Sequence, residues 1–170
     1  MEVTILKGDI VEQEVDAVVN AANSGLMGGG GVDGAILRAG GAAQREARRQ
    51  LVERIGSLPT GQAAASEAGA MPARWVIHVV GPVHSKSEDR TELLASCYRE
   101  ALRVADDLGA RSIAFPAVSA GIYGWPVDHA ADVAVSTVLA TPTTVEDVRF
   151  VLFGDDVLAE FERAHSAQRS

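Results

Sequence analysis

Seven consecutive residues, Gly28-Gly29-Gly30-Gly31-Val32-Asp33-Gly34, set four positions without side chains one residue ahead of a carboxylate. Missing side chains permit unusual dihedrals and let a ligand come close to the backbone. Gly30 and Gly31, with Val32 beside them, are therefore candidate binding positions around a phosphate or a sugar. Asp33 is the candidate general base, or the group that holds and orients a water, although the same position also suits the N-cap of a following helix. Just upstream, Asn20 and Asn23 frame Ala21-Ala22. Each offers a neutral carboxamide that can donate and accept at sugar hydroxyls without placing charge beside a dianion, and each could equally cap a local turn.

A second loop, Ser119-Ala120-Gly121-Ile122-Tyr123-Gly124-Trp125-Pro126, is rich in small residues and leads into a helix. Its successive backbone N–H groups near a helix N-terminus suit a diphosphate. Asp9, just after the first predicted strand, could accept from an adenine amino group or shape an Asx-turn. Phe153, at the end of the last predicted strand, could stack on a base or simply close the core edge.

Other chemistries fit less well. Gly29, Gly31 and Gly34 satisfy G-x-G-x-x-G, but a dinucleotide fold needs an acid at the end of the next strand, and Glu53 lies in an Arg-rich helical stretch. Ala35 stands where a P-loop needs Lys. Residues 117–121 resemble a nucleophile elbow around Ser119, yet Ala117 takes the first glycine position and no histidine has partner spacing. His78, His84, His129 and His165 show no metal-ligand spacing with Cys97, so no metal is expected, and His78 is read as packed within its strand.

The formal net charge of -8 opposes a nucleic-acid partner, because nonspecific binding there relies on many Lys and Arg contacts to phosphates. An anionic ligand would instead be held by backbone N–H groups and helix ends. With 170 residues, 47% hydrophobic, the chain suits one domain with a continuous core. Apolar runs such as 75–80 and 112–118 are strand-sized, so no membrane span and a soluble chain are expected. The first residues lack a secretory signal pattern and Cys97 is the lone cysteine, which together point to the cytoplasm.

The elements that must position these residues follow from periodicity. Strands are predicted at 3–6, 17–19, 75–80, 112–115 and 148–153, with a further small-residue strand between Gly61 and Met71. Ala39, Ala43, Ala47, Leu51 and Ile55 mark the inner face of a helix that starts near Ile36, with Gly40-Gly41 interrupting its early part. Leu94 through Leu108 line a second helix stopped by Gly109, Pro126 begins a third, and residues 155–165 form the last. Alternating strands and helices predict a layered α/β domain whose ligand sits beyond the carboxyl ends of the strands.

Taken in order, Gly8-Asp9-Ile10, the block 15–23, the block 28–34, Thr60-Gly61, the block 76–82 and residues 115–126 resemble the macrodomain family, and specifically its MacroD-type ADP-ribosyl hydrolases. The resemblance implies a three-layer α/β/α sandwich with a mixed, largely parallel sheet and one ADP-ribose cleft. It places Asp9 and Ile10 at the adenine, Phe153 nearby, Gly121, Ile122, Tyr123 and Gly124 over the diphosphate, and Asn23 and Asp33 as catalytic groups at the distal ribose. It implies removal of mono-ADP-ribose from acidic side chains and deacetylation of O-acetyl-ADP-ribose, with no metal and no cofactor. A reader module that only binds ADP-ribose, or a phosphatase acting on ADP-ribose 1''-phosphate, are the alternatives. The implied partners are ADP-ribose and ADP-ribosylated proteins, and the chain is expected to be a monomer. Leu37 stands where the family often has His, Ala117 where it often has Cys, and the Gln-Glu-Glu element of poly-ADP-ribose glycohydrolases is absent.

Overall fold

Short runs of Val, Ile and Ala become strands here because such side chains fit a pleated surface covered on both faces. In the computed structural model, which describes residues 1–121 and 123–168, the strands are β1 (Glu2–Lys7), β2 (Ala17–Ala21), β3 (Ala63–Glu67), β4 (Trp75–Val79), β5 (Ser112–Phe115) and β6 (Asp147–Leu152). The helices are α1 (Gly31–Ile55), α2 (Thr91–Leu108), α3 (Val127–Ala140) and α4 (Asp155–Gln168), with a 3-10 turn at Ile10–Glu12.

Among the described residues these strands form one sheet in the order β1-β6-β5-β2-β4-β3. β1, β6, β5, β2 and β4 run parallel, and β3 joins the edge antiparallel to β4. Helix α1 covers one face, while α2, α3 and α4 cover the other, which is the expected three-layer sandwich with a mixed sheet. Side chains alternate between faces along a strand. Ala17 and Val19 join Ile77, Val79 and the α2–α4 side; Val18, Val76 and Ala114 join Ile36 on the α1 side. Phe115, Phe150 and Phe161 run in ring contact through the larger core. Among the described residues, no helix is long and apolar enough to cross a membrane.

Helix α1 departs from expectation twice. It begins at Gly31, inside the glycine run, and its inward residues are Ile36, Gly40, Gln44, Arg48 and Leu51, while Ala43 is exposed and Ile55 is 40% exposed. Gly41, at φ 66° and ψ -155°, kinks the helix, and the next inward positions after it, Gln44 and Arg48, are polar, so no apolar stripe runs through it. Gly40 lies against the turn after β3: a Cβ there would sit 2.9 Å from the Ala68 carbonyl oxygen, and Ala70 N–H donates to Gly40 O at 3.1 Å.

Candidate functional site

The parallel strands deliver their carboxyl ends to one edge of the sheet. The loop after β1 brings Asp9 and Ile10, the end of β6 brings Phe153, the loop after β5 brings residues 116–121 and 123–126, and the loop after β2 brings Asn23 and the glycine run. Because the order is β1-β6-β5-β2, these follow one another across the sheet. The β5 and β2 loops leave paired neighbouring strands.

At the β1 end, Asp9 is exposed, and its Oδ1 accepts from Val11 N–H at 3.1 Å, so it caps the 3-10 turn. Ile10 is buried in the α1-side cluster with Val18, Ile36 and Val151. Phe153 is 87% exposed at the end of β6, which places an open aromatic face beside these loops instead of a core-edge contact.

The β5 loop is tied down from several sides. Val118 N–H donates to the Tyr98 hydroxyl at 3.1 Å, Trp125 Nε1 donates to Pro82 O at 2.9 Å, and His84 N–H donates to Tyr123 O at 2.8 Å. Ala120 and Gly124 spend their N–H groups on turns within the loop, to Ala117 O and Gly121 O, so the expected unbroken row of outward donors is interrupted at those two positions. Gly121 and Gly124 are exposed, Ala120 and Tyr123 half-buried, and Ile122 lies outside the described residues. Ser119 is buried at φ 66°, with no partner for its Oγ among the described residues.

In the β2 loop, Asn23 grips its own turn: Nδ2 donates to Gly28 O at 2.9 Å and Oδ1 accepts from Met27 N–H at 3.2 Å. The exposed Gly29 and Gly30 then lead to Gly31, the first residue of α1, with Gly30 as N-cap. Val32 packs against the α1-side core. Asp33 is not the cap. It lies in the first helical turn, where a negative charge is favoured, and is only 4% exposed.

Beneath Asp33 lies a closed ring of side chains, most of which sequence reasoning missed. Arg48 Nη1 and Asn20 Nδ2 both donate to Asp33 Oδ1, the latter at 3.0 Å. The other side of the Asn20 amide meets His78 Nδ1 at 3.1 Å; His78 Nε2 meets Ser66 Oγ at 2.8 Å. Gln44 Nε2 donates to Ser66 Oγ at 3.2 Å, and Arg48 Nε donates to Gln44 Oε1 at 3.1 Å, which closes the ring.

The proton positions follow from chemistry. A carboxylate only accepts, so the Asn20 amide nitrogen must face Asp33, and its second hydrogen then points at His78 Nδ1. Burial, with the Arg48 charge adding to it, pushes His78 down from 6.5 to about 3, so the ring is neutral and its hydrogen sits on Nε2, directed at Ser66. Asn20 is 0% exposed. Its amide therefore serves the interior, which corrects the expectation that it meets sugar hydroxyls.

Strand alternation explains why these groups converge. Asn20 is two residues beyond Val18 and His78 two beyond Val76, so both face α1; β2 and β4 pair them directly, and Ser66 pairs with Val76 on the same face. Gln44 and Arg48 are four apart on α1, one turn above each other. That spacing, set on the helix's inner side, is the signal that could have found them.

A hollow of about 330 Å³ lies between the starts of α2 and α3, walled by Lys86, Arg90, His129 and Trp125 among others. It includes none of Asn23, Asp33 or the glycine run, so volume alone does not mark the site. Among the described residues, no cluster of His, Cys, Asp and Glu could hold a metal ion.

The Macro domain family model matches residues 19–134. A Macro domain-containing protein of Streptomyces griseus is 61% identical over 163 residues, covering 94% of this chain and 92% of the relative. A mutant macrodomain of Oceanobacillus iheyensis solved with ADPR superposes with a TM-score of 0.92 at 36% identity, covering 97% of this chain and 92% of the other. The Trypanosoma brucei macrodomain in complex with ADP-ribose gives 0.81 at 34% identity, covering 95% and 68% respectively.

Proposed function

Since the chain belongs to the Macro domain family, we propose that it binds ADP-ribose along the loop edge and hydrolyses acyl esters at the distal ribose. The substrates of this reading are proteins mono-ADP-ribosylated on Asp or Glu and O-acetyl-ADP-ribose. The observation that carries it is the meeting of two loops across paired strands: the β5 loop, suited to a diphosphate, and the β2 loop, with Asp33 at its exit. Asp9, Ile10 and Phe153, next along the same edge, are assigned to the adenine.

In the proposed reaction a water oxygen attacks the acyl carbon, the bond from that carbon to the ribose oxygen breaks, and the ribose oxygen leaves with a proton as a hydroxyl. The other product is the free carboxylate; of the two protons of the water, one has passed to the ribose oxygen and the other is released to solvent. Asp33 Oδ1 is committed inward to Arg48 and Asn20, so Oδ2 is the oxygen assigned to the water, which a substrate phosphate holds from the other side. Asn23 keeps the glycine loop in place beneath the distal ribose.

Incubating the protein with a Glu-modified target, and separately with O-acetyl-ADP-ribose, is expected to release ADP-ribose, and Asp33→Ala to slow release by about a hundredfold or more while much of the binding survives. A second reading, a module that binds ADP-ribose without turnover, draws on the 4% exposure of Asp33. It stands in place of the first if the unsubstituted protein binds ADP-ribose and releases nothing from any ester-linked substrate.

A further inference from the structure

The loop that leads to Asp33 has open space around it: a Cβ added at Gly29, Gly30 or Gly31 would meet nothing within 4 Å. The side-chain hydrogen bonds that orient the buried carboxylate come from beneath. There the side chains of Arg48 and Asn20 both end on Oδ1, and the ring through Gln44, Ser66 and His78 fixes those two in turn. From this we infer that Arg48 is a positioning residue for the hydrolysis proposed above, on which the inference rests: it holds Asp33 by one oxygen so that the other faces the ester.

Stability alone accounts poorly for the ring. Replacing a buried ion pair by packed apolar residues is often neutral or favourable, and this one leaves Arg48 Nη2 and Asn20 Oδ1 without partners among the described residues. What it supplies is geometry. The planar guanidinium spans two anchors at once, Asp33 through Nη1 and Gln44 through Nε. A lysine ammonium keeps the charge but not the fork that fixes direction. The neutral His78 completes the frame, because its single hydrogen is directed at Ser66 and its lone pair receives Asn20, which leaves the Asn20 amide one orientation.

The test uses the full chain with Arg48→Lys, Arg48→Met, Asp33→Asn and Asp33→Asn/Arg48→Met. Each is measured for kcat and KM on a Glu-linked mono-ADP-ribosylated protein, for the Kd of ADP-ribose by calorimetry, and for thermal midpoint. Arg48→Lys is expected to lose about tenfold in kcat, with KM and Kd within about threefold of the unsubstituted values. Asp33→Asn/Arg48→Met is expected to turn over within about twofold of Asp33→Asn, because a residue that acts through Asp33 has nothing left to act on. If Arg48→Met strands the buried carboxylate and does not fold, Arg48→Lys and the double variant, which removes both charges, decide the matter. Unchanged kcat in Arg48→Lys overturns the assignment. So does a further loss in the double variant equal to the loss in the unsubstituted background, or a parallel fall of kcat, affinity and midpoint. No release by the unsubstituted chain is a separate result, which removes the hydrolase reading and the assignment with it.

Discussion

At Gly81 a single methyl group decides whether the β5 loop can sit where it does. A Cβ there would come within 2.1 Å of Ser119 Oγ and 2.8 Å of Val118 Cγ1. Ser119 has little room to yield, since it already holds φ 66°, a conformation costing a non-glycine residue about 1–3 kcal/mol. Gly81→Ala is therefore expected to displace the loop and weaken ADP-ribose binding about tenfold or more, or about 1.4 kcal/mol. Ser119→Gly in the same chain removes the clashing hydroxyl and relieves the backbone, so the pair should recover part of the loss. Calorimetric titration of ADP-ribose checks both, and unchanged affinity in Gly81→Ala counts against a role for this loop. Side-chain chemistry in the sequence singled out Ser119, Asn20, Asn23 and Asp33, but it does not say which way a side chain faces. Asn20 turns inward because strand alternation aligns it with Val18. Asn23 spends its amide on its own loop.

Among the elements, α1 was the least legible and the most consequential. The strands and α2 carry a strong period, and Gly109 ends α2 in a left-handed cap at φ 75°, as its position predicts. Helix α1 instead kinks at Gly41 and carries the polar Gln44 and Arg48 on its inward side, where a search for an apolar stripe discounts them. The kink belongs to the backbone alone: a Cβ at Gly41 would touch nothing within 4 Å, yet φ 66° with ψ -155° suits only glycine. Gly41→Ala is thus expected to destabilise the fold by about 1–3 kcal/mol through conformation without any clash. Denaturant unfolding should show a lower midpoint at unchanged slope. Straightening the helix through Gly41 would also rotate Arg48 away from Asp33, so the same variant should lose turnover beyond its loss of stability. Full turnover per folded molecule argues that the two halves of α1 are not coupled in this way.

Over the whole molecule, the ring beneath Asp33 ties β2, α1, β3 and β4 together, four segments that are separate in sequence and meet only through sheet register and helix packing. Beyond the four-residue spacing of Gln44 and Arg48, no local pattern could reveal it. Its histidine links folding to pH. His78 is 0% exposed and titrates near 3 in the folded chain against 6.5 when free. Between those values the unfolded chain binds a proton that the folded chain does not, so this contribution is complete above pH 6.5 and is lost as pH falls toward about 3. One such group costs about 1.4 kcal/mol per pH unit in that window, against a total stability of about 5–15 kcal/mol for a typical domain. The thermal midpoint should therefore decline through mild acid, at about 2–4 °C for each kcal/mol in a chain of this size. His78→Gln offers an amide that can still accept from Asn20 and donate to Ser66, yet takes up no proton. Its midpoint is expected to vary less between pH 6.5 and 4.5 than that of the unsubstituted protein, while every group the two proteins share cancels in the difference. Two parallel profiles would mean that His78 is reached by solvent protons without unfolding, and that the ring is looser than its hydrogen bonds imply.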